Sequence, residues 1–182
     1  MRKILLTLLF VLPVQALWGV EPPERQHQVR LGWGDMIFET VAFPAAASEQ
    51  GGRGFTGHFF AGYQYSVNPV VSLGGQLDFE GIFMADMNNY NLTLMPTVRF
   101  TYLRSEAWEL HSGVGLGALF AFDNKGGAQL APAIDLNFFG FQAGKGPLKV
   151  GVDLGMLNAL TGGKKIYMLG SRLLSVSLNY SF

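Results

Sequence analysis

Large apolar side chains alternate with small polar ones along the last eleven residues of the chain. The residues between the large side chains are three serines and one asparagine; the large side chains are Leu174, Val176, Leu178, Tyr180 and Phe182. Because successive side chains of a strand point to opposite sides, this period of two predicts a β-strand with one apolar and one polar face. The apolar face needs a cover, and lipid is the best candidate.

The same alternation recurs along most of the chain, at lengths of ten to sixteen residues. It predicts eight strands, at 27–38, 54–67, 70–83, 90–103, 107–122, 128–141, 148–157 and 172–182. In the fourth of these, Pro96 has no N–H for the ladder, so we expect a bulge or a local break there.

Short and long connections alternate between these strands. Short turns are predicted at Asn68-Pro69, Arg104-Ser105-Glu106 and Gly144-Lys145-Gly146-Pro147, and longer connections at 39–53, 84–89, 123–127 and 158–171. Tight turns at one end and longer loops at the other are typical of membrane barrels. The sequence therefore predicts an all-β, eight-stranded, antiparallel, up-and-down transmembrane β-barrel, and the even strand number places both termini in the periplasm.

The first residues have the features of a cleaved export signal. Arg2 and Lys3 precede an apolar stretch that ends near Val14, and Ala16 is a small residue at the expected cleavage site. A membrane anchor is the alternative, but the stretch is shorter than the roughly 20 residues that a spanning helix needs. We therefore expect a signal peptide at 1–16, a periplasmic lead segment at 17–26 and the barrel at 27–182.

Composition agrees with a protein that faces lipid. The chain has 24 glycines and 13% aromatic residues, but only 14% charged residues, against about 25% in ordinary globular proteins. Its 13 basic residues balance 13 acidic ones, so it offers no basic field for nucleic acid. The absence of cysteine excludes disulfides and thiolate metal sites, and the sequence calls for no cofactor or metal.

Aromatic side chains are predicted to collect at two heights, as in the girdles of membrane barrels. With the apolar face outward, one group falls near the periplasmic end: Tyr65, Tyr102, Trp108, Tyr180 and Phe182. The second group falls near the outer end: Phe55, Phe83, Tyr90 and Phe122.

These features together resemble the small eight-stranded outer-membrane β-barrel proteins of Gram-negative bacteria, the OmpA-type architecture. The resemblance covers the whole mature chain and rests on the signal, the hairpin rhythm and the terminal Tyr180-Ser181-Phe182, which is similar to the aromatic-ended signature that the barrel assembly machinery reads. It implies a cell-envelope protein, a monomer, in contact with outer-membrane lipid and lipopolysaccharide. It further implies recognition by the assembly machinery through Arg172–Phe182.

The inward face carries charged residues that are predicted to form a polar network in the lumen. Its members are Arg30, His58, Asp78, Glu80, Arg99, Glu109, His111, Asp135, Lys149 and Asp153. Eight strands enclose a space that side chains can fill, and buried charge must be paired. We expect Arg99 opposite Glu109 or His111, and His58 opposite Asp78 or Glu80.

Glycines alternate along the fifth strand at Gly113, Gly115 and Gly117. They do not open a helix, so they do not form a phosphate-binding loop. We interpret them as room for inward side chains from elsewhere in the barrel, such as Phe60, Phe139 or Phe141.

The predicted role is structural or interactive, for a barrel whose lumen is filled. A lipid A-modifying enzyme is the alternative, with Glu109, His111 and Ser112 as candidates, although His111 and Ser112 should point to opposite faces. A small-solute channel and a soluble lipocalin-like carrier are third. Lys164 and Lys165 in the last loop are candidates for contact with lipopolysaccharide phosphates.

Overall fold

Nine antiparallel β-strands form one sheet in the computed structural model, which describes residues 25–34, 55–83, 88–124, 126–159, 167–169 and 174–182. The strands are β1 His27–Gly34, β2 Phe55–Ser66, β3 Val71–Phe83, β4 Asn88–Arg104, β5 Trp108–Asp123, β6 Ala128–Ala143, β7 Leu148–Ala159, β8 Tyr167–Leu169 and β9 Ser175–Ser181. The described part of the chain contains no helix long and apolar enough to cross a membrane.

The sheet closes on itself. Strands β1 to β7 pair in chain order, and β9 pairs with both β7 and β1. The short β8 pairs with the far end of β7, so β8 and β9 share the eighth position of the barrel. Closure pairs β9 with a strand on each side, and the predicted fold class is confirmed. The predicted signal at 1–16 and the loop at 39–53 lie outside the described residues.

One end of the barrel, which we call the base, holds the start of β1, the end of β9 and three short turns. In the first turn the Asn68 side chain accepts hydrogen bonds from the backbone N–H groups of Val70 and Val71, at 2.9 and 2.8 Å. In the turn between β6 and β7, Gly146 has a φ of 69°, a conformation that favours glycine. The opposite end is called the rim below.

Side chains alternate between the outer wall and the interior as the pattern predicted. On β4, Leu94 and Phe100 are exposed on the outer wall, while Asn91, Thr93 and Met95 are buried inside. Elsewhere the outer wall carries large exposed apolar residues, among them Phe59, which is 59% exposed, and Leu130, which is 62% exposed. Apolar outside and polar inside is the arrangement of a barrel that faces lipid.

The alternation is interrupted at Phe138 in β6, where both neighbouring ladders shift register by one residue. This bulge places Phe138 and Phe139 side by side on the outer wall and returns Gly140 to the interior. The prediction that Phe139 and Phe141 point inward is therefore wrong, because strict alternation was extended past the bulge. Phe60 does point inward, and it lies directly over Gly32.

Pro96 interrupts the sheet by a local break, one of the two outcomes predicted. The pairing of β4 with β5 lapses at Met95 and Pro96 and resumes at Thr97 in the same register. The bulge of this strand lies instead between Thr101 and Leu103. Pro96 thus produces a local break, and the bulge falls near the base.

Candidate functional site

Asp153 on β7 joins side chains from three other strands inside the barrel. Its carboxylate accepts hydrogen bonds from Arg30 on β1 at 2.5 Å and from Asn137 on β6 at 2.7 Å, and it lies 2.8 Å from His111 Nε2 on β5. The same Arg30 donates to Asn179 Oδ1 at 3.0 Å. One buried carboxylate thereby connects β1, β5, β6 and β7.

Glu109, near the base end of β5, lies between two arginines. Arg104 Nε donates to Glu109 Oε2 at 3.1 Å, and Arg99 Nη1 lies 3.5 Å from Glu109 Oε1. Arg99 also donates to the side-chain oxygens of Gln28 and Gln64, both at 2.8 Å. Arg99 and Glu109 are almost fully buried, so their charges are compensated by each other and by these amides.

His111 connects the Asp153 and Glu109 groups. Its Nε2 lies 2.8 Å from Asp153 Oδ1 and 3.0 Å from Arg99 Nη2. Arginine only donates, so a proton on Nε2 can be shared only with the carboxylate of Asp153. The two groups form one continuous network, which we call the base network, from Arg30 to Arg104.

A second group of polar side chains lies toward the rim. His58 Nε2 lies 2.8 Å from Asp78 Oδ1, and the Gln76 amide donates to the same carboxylate at 2.9 Å. One strand farther, Asn91 Nδ2 donates to Glu80 Oε2 at 2.9 Å. His58 is directly opposite Glu80 across the hairpin. The sequence had predicted His58 opposite Asp78 or Glu80, and the structure places it opposite Glu80 and in contact with Asp78.

The register of the β4–β5 hairpin differs from the expected one. Arg99 is paired with Gly113, while His111 is opposite Thr101 and Glu109 is opposite Arg104. The turn is three residues long and centred beyond Ser105, and the bulge between Thr101 and Leu103 adds a further offset. The long Arg99 side chain nevertheless reaches both residues.

Arg104 is the main residue that the sequence did not assign to the interior. It was placed in a turn, yet it ends β4 with its side chain inside the barrel, where it binds Glu109 and donates to the Pro69 carbonyl at 3.0 Å. Gln142, which was also unassigned, and Asn179, which alternation had placed on the polar face of the last strand, are fully buried parts of the base network. Bulges that reverse the facing of Arg104 and Gln142 have no clear sequence signal.

Two predicted members of the network lie at its margins. Asp135 on β6 is buried, with its Cβ beside Gly115 of β5. Lys149 on β7 is half-buried and lines a cavity at the base.

The inner faces of β4 to β7 also carry an apolar cluster. Its members are all buried: Met95, Leu119, Ala131, Ala133 and Leu157. Met95 lies against Gly117, whose lack of a side chain gives it room. The glycines of β5 therefore allow close approach, as the sequence indicated.

The two aromatic groups occupy opposite ends of the barrel. At the base, Tyr65 pairs with His27, whose ring stacks on Phe182 at 5.4 Å and whose Nδ1 lies 2.6 Å from the Tyr63 hydroxyl. Tyr180, Trp108 and Tyr102 belong to the same end by strand position. At the rim, Tyr90 stacks on Phe122 at 5.4 Å, and Phe55 pairs with Phe83.

Ser112 and His111 do not form a catalytic pair. His111 is fully buried in the interior, whereas Ser112 is opposite Phe100 of β4 on the other face of the sheet. The described residues contain no group of three or more potential metal ligands.

Solved structures share this fold. The chain matches the amino-terminal β-barrel domain of Pseudomonas aeruginosa OprF with a TM-score of 0.53 and 10% identity, over 89% of this chain and 100% of that one. It matches Ail, the attachment invasion locus protein of Yersinia pestis, with a TM-score of 0.52 and 11% identity, over 88% and 100% of the two chains. Neisserial surface protein A gives 0.51 and 10%, over 89% and 99%.

No family model matches the chain, and no curated protein matches it by sequence. At these identities the structural likeness establishes the fold alone. The chain has the eight-stranded architecture of small outer-membrane β-barrels.

Proposed function

We propose that the protein is a monomeric integral barrel of the outer membrane, with a lumen closed by side chains and a structural or surface-interaction role. The observation that supports this most is the segregation of side chains. Large apolar residues lie on the outer wall, whereas Arg30, Arg99, Glu109 and Asp153 are buried and paired inside.

The same segregation disfavours a soluble carrier. A lipocalin-like protein would line its cavity with the apolar face and expose the charges. Here Phe59, Leu94 and Leu130 would then meet water. A continuous apolar wall of this extent is stable only when lipid, detergent or protein covers it.

The proposal includes the orientation of the barrel and its partners. The base faces the periplasm, as short turns do in outer-membrane barrels, and the outer wall contacts lipid and lipopolysaccharide. The assembly machinery recognises the terminal strand, Arg172–Phe182. The Lys164-Lys165 pair, which lies outside the described residues, is proposed to contact lipopolysaccharide phosphates.

Membrane fractionation and gel mobility test the proposal. The protein should require detergent for extraction, and the unheated, folded sample should migrate differently from the boiled one. In planar bilayers it should give no large, steady conductance, and lipid A isolated from expressing cells should keep its mass. Recovery in the aqueous periplasmic fraction would contradict the membrane assignment, and a steady conductance would contradict the closed lumen.

A further inference from the structure

The base of the barrel contains a cavity of about 320 Å³, lined by inward-facing residues and by residues of the short turns, so it opens at the base end of the lumen. This volume is at the lower end of the range of small-molecule sites, about 300–1,000 Å³. The cavity continues outward from the base network, because Arg99 and Glu109 form part of its lining. It is therefore a polar recess with a fixed inner wall.

Cations outnumber carboxylates around this cavity. Arg25, Arg99, Arg104 and Lys149 line it together with only two acids, Glu106 and Glu109. Glu109 is already compensated by two arginines, and Glu106 is an exposed turn residue. The lining therefore has an excess of two positive charges.

Two of these cations stand apart from the ion pairs of the base network in the described part of the chain. The Lys149 ammonium and the Arg25 guanidinium make no ion pair or side-chain hydrogen bond with any described residue. Lys149 is half-buried on β7. Two such cations lining one cavity favour the binding of an anion there.

We propose that this cavity binds a small multivalent oxyanion, of which inorganic phosphate is the simplest example. Hydroxyl groups of Ser66, Ser72 and Ser181 also line it and can donate to phosphate oxygens. The cavity opens along the lumen and not through the lipid-facing wall, so the ligand is a solute. A lipid headgroup would have to leave the bilayer plane to reach it.

Titration of the detergent-folded full-length protein with inorganic phosphate tests the proposal, by calorimetry or by phosphorus NMR line width. Lys149→Gln and Arg25→Gln should each weaken phosphate binding about tenfold, the effect expected for loss of one charged hydrogen-bond partner. Lys145→Gln is the matched control, because Lys145 is exposed in the neighbouring turn and does not line the cavity. Folding of every variant is checked by heat-modifiable gel mobility.

Three outcomes would overturn the proposal: no phosphate binding at millimolar concentration, unchanged binding in both cavity variants, or an equal loss in Lys145→Gln. The last outcome would indicate diffuse surface charge. If Lys149→Gln does not fold, Arg25→Gln decides, because Arg25 precedes β1 and belongs to no ion pair in the described part of the chain. Titration with a vesicle of phosphatidylglycerol provides the lipid arm, and preference for it over inorganic phosphate would contradict a solute ligand.

Discussion

At the residue scale, Asp153 is the position where a small chemical change should have the largest effect. Asp153→Asn removes the charge that compensates Arg30 while keeping size and shape. A buried arginine left without its partner typically costs about 3–5 kcal/mol. We expect a loss of that order in the free energy of unfolding, measured by urea titration of the protein in detergent micelles or vesicles.

The control for this prediction is Glu106→Gln, an exposed carboxylate whose removal should change stability by less than about 0.5 kcal/mol. The double variant Arg30→Met with Asp153→Leu should recover only part of the loss, since it removes both charges but leaves His111, Asn137 and Asn179 without these partners. An Asp153→Asn variant as stable as the control would show that this charge is not needed.

Gly140 provides a second prediction at this scale. A Cβ atom added there would collide with His111 and with the Asp153 carboxylate, both held in the base network. Gly140→Ala should therefore destabilise the barrel by about 1–3 kcal/mol, as overpacking does. Gly62→Ala is the matched control, because the nearest atom to its added Cβ is 3.5 Å away. Equal urea midpoints for the two variants would contradict the packing described for Gly140.

Single residues also show where sequence reasoning stops. Arg30, His58 and Asp153 were assigned to the interior by alternation alone, because their strands are regular up to those positions. Arg104 and Gln142 lie beyond bulges, where the same counting gives the opposite face. Which acid contacts which base depends on side-chain reach across several strands, and strand parity contains no information about that.

At the scale of elements, the β6 bulge makes a testable prediction about facing. The chain has no cysteine, so single substitutions give unambiguous labelling sites. Fluorophores at Phe138→Cys and Phe139→Cys should both be quenched by brominated lipid, because the bulge places these neighbours on the outer wall. A label at Leu136→Cys, on the outer wall before the bulge, serves as the positive control, and one at Gln142→Cys, which is fully buried, as the negative control.

Quenching at only one of Phe138 and Phe139 would show that β6 is regular and would reverse the facing of its base half.

The eight strand positions themselves were predictable, since each is a long alternating segment between turn residues; β2, predicted at 54–67, spans Phe55–Ser66. The division of the eighth position into β8 and β9 was not predicted. The predicted strand at 172–182 corresponds to β9 alone, and Tyr167–Leu169 fell within the predicted loop.

At the scale of the whole molecule, the interior has two unlike halves. The base network forms one, and the other combines the apolar cluster around Met95 with the polar group of His58 and Asp78. Ions crossing the lumen would have to pass both, and an apolar constriction excludes ions by excluding water. The closed lumen that we propose therefore depends on packing as much as on ion pairs.

Removing the apolar part should open the barrel without breaking the network. Met95→Ala with Leu119→Ala deletes two buried side chains of the apolar cluster, and the space left by Met95 lies beside Gly117. We expect small, measurable conductance steps in planar bilayers from this double variant and none from the parent protein. Leu116→Ala, which shortens an exposed side chain on the outer wall of the same strand, is the control and should stay silent. Silence of the double variant, with folding confirmed by gel mobility, would place the barrier in the base network instead.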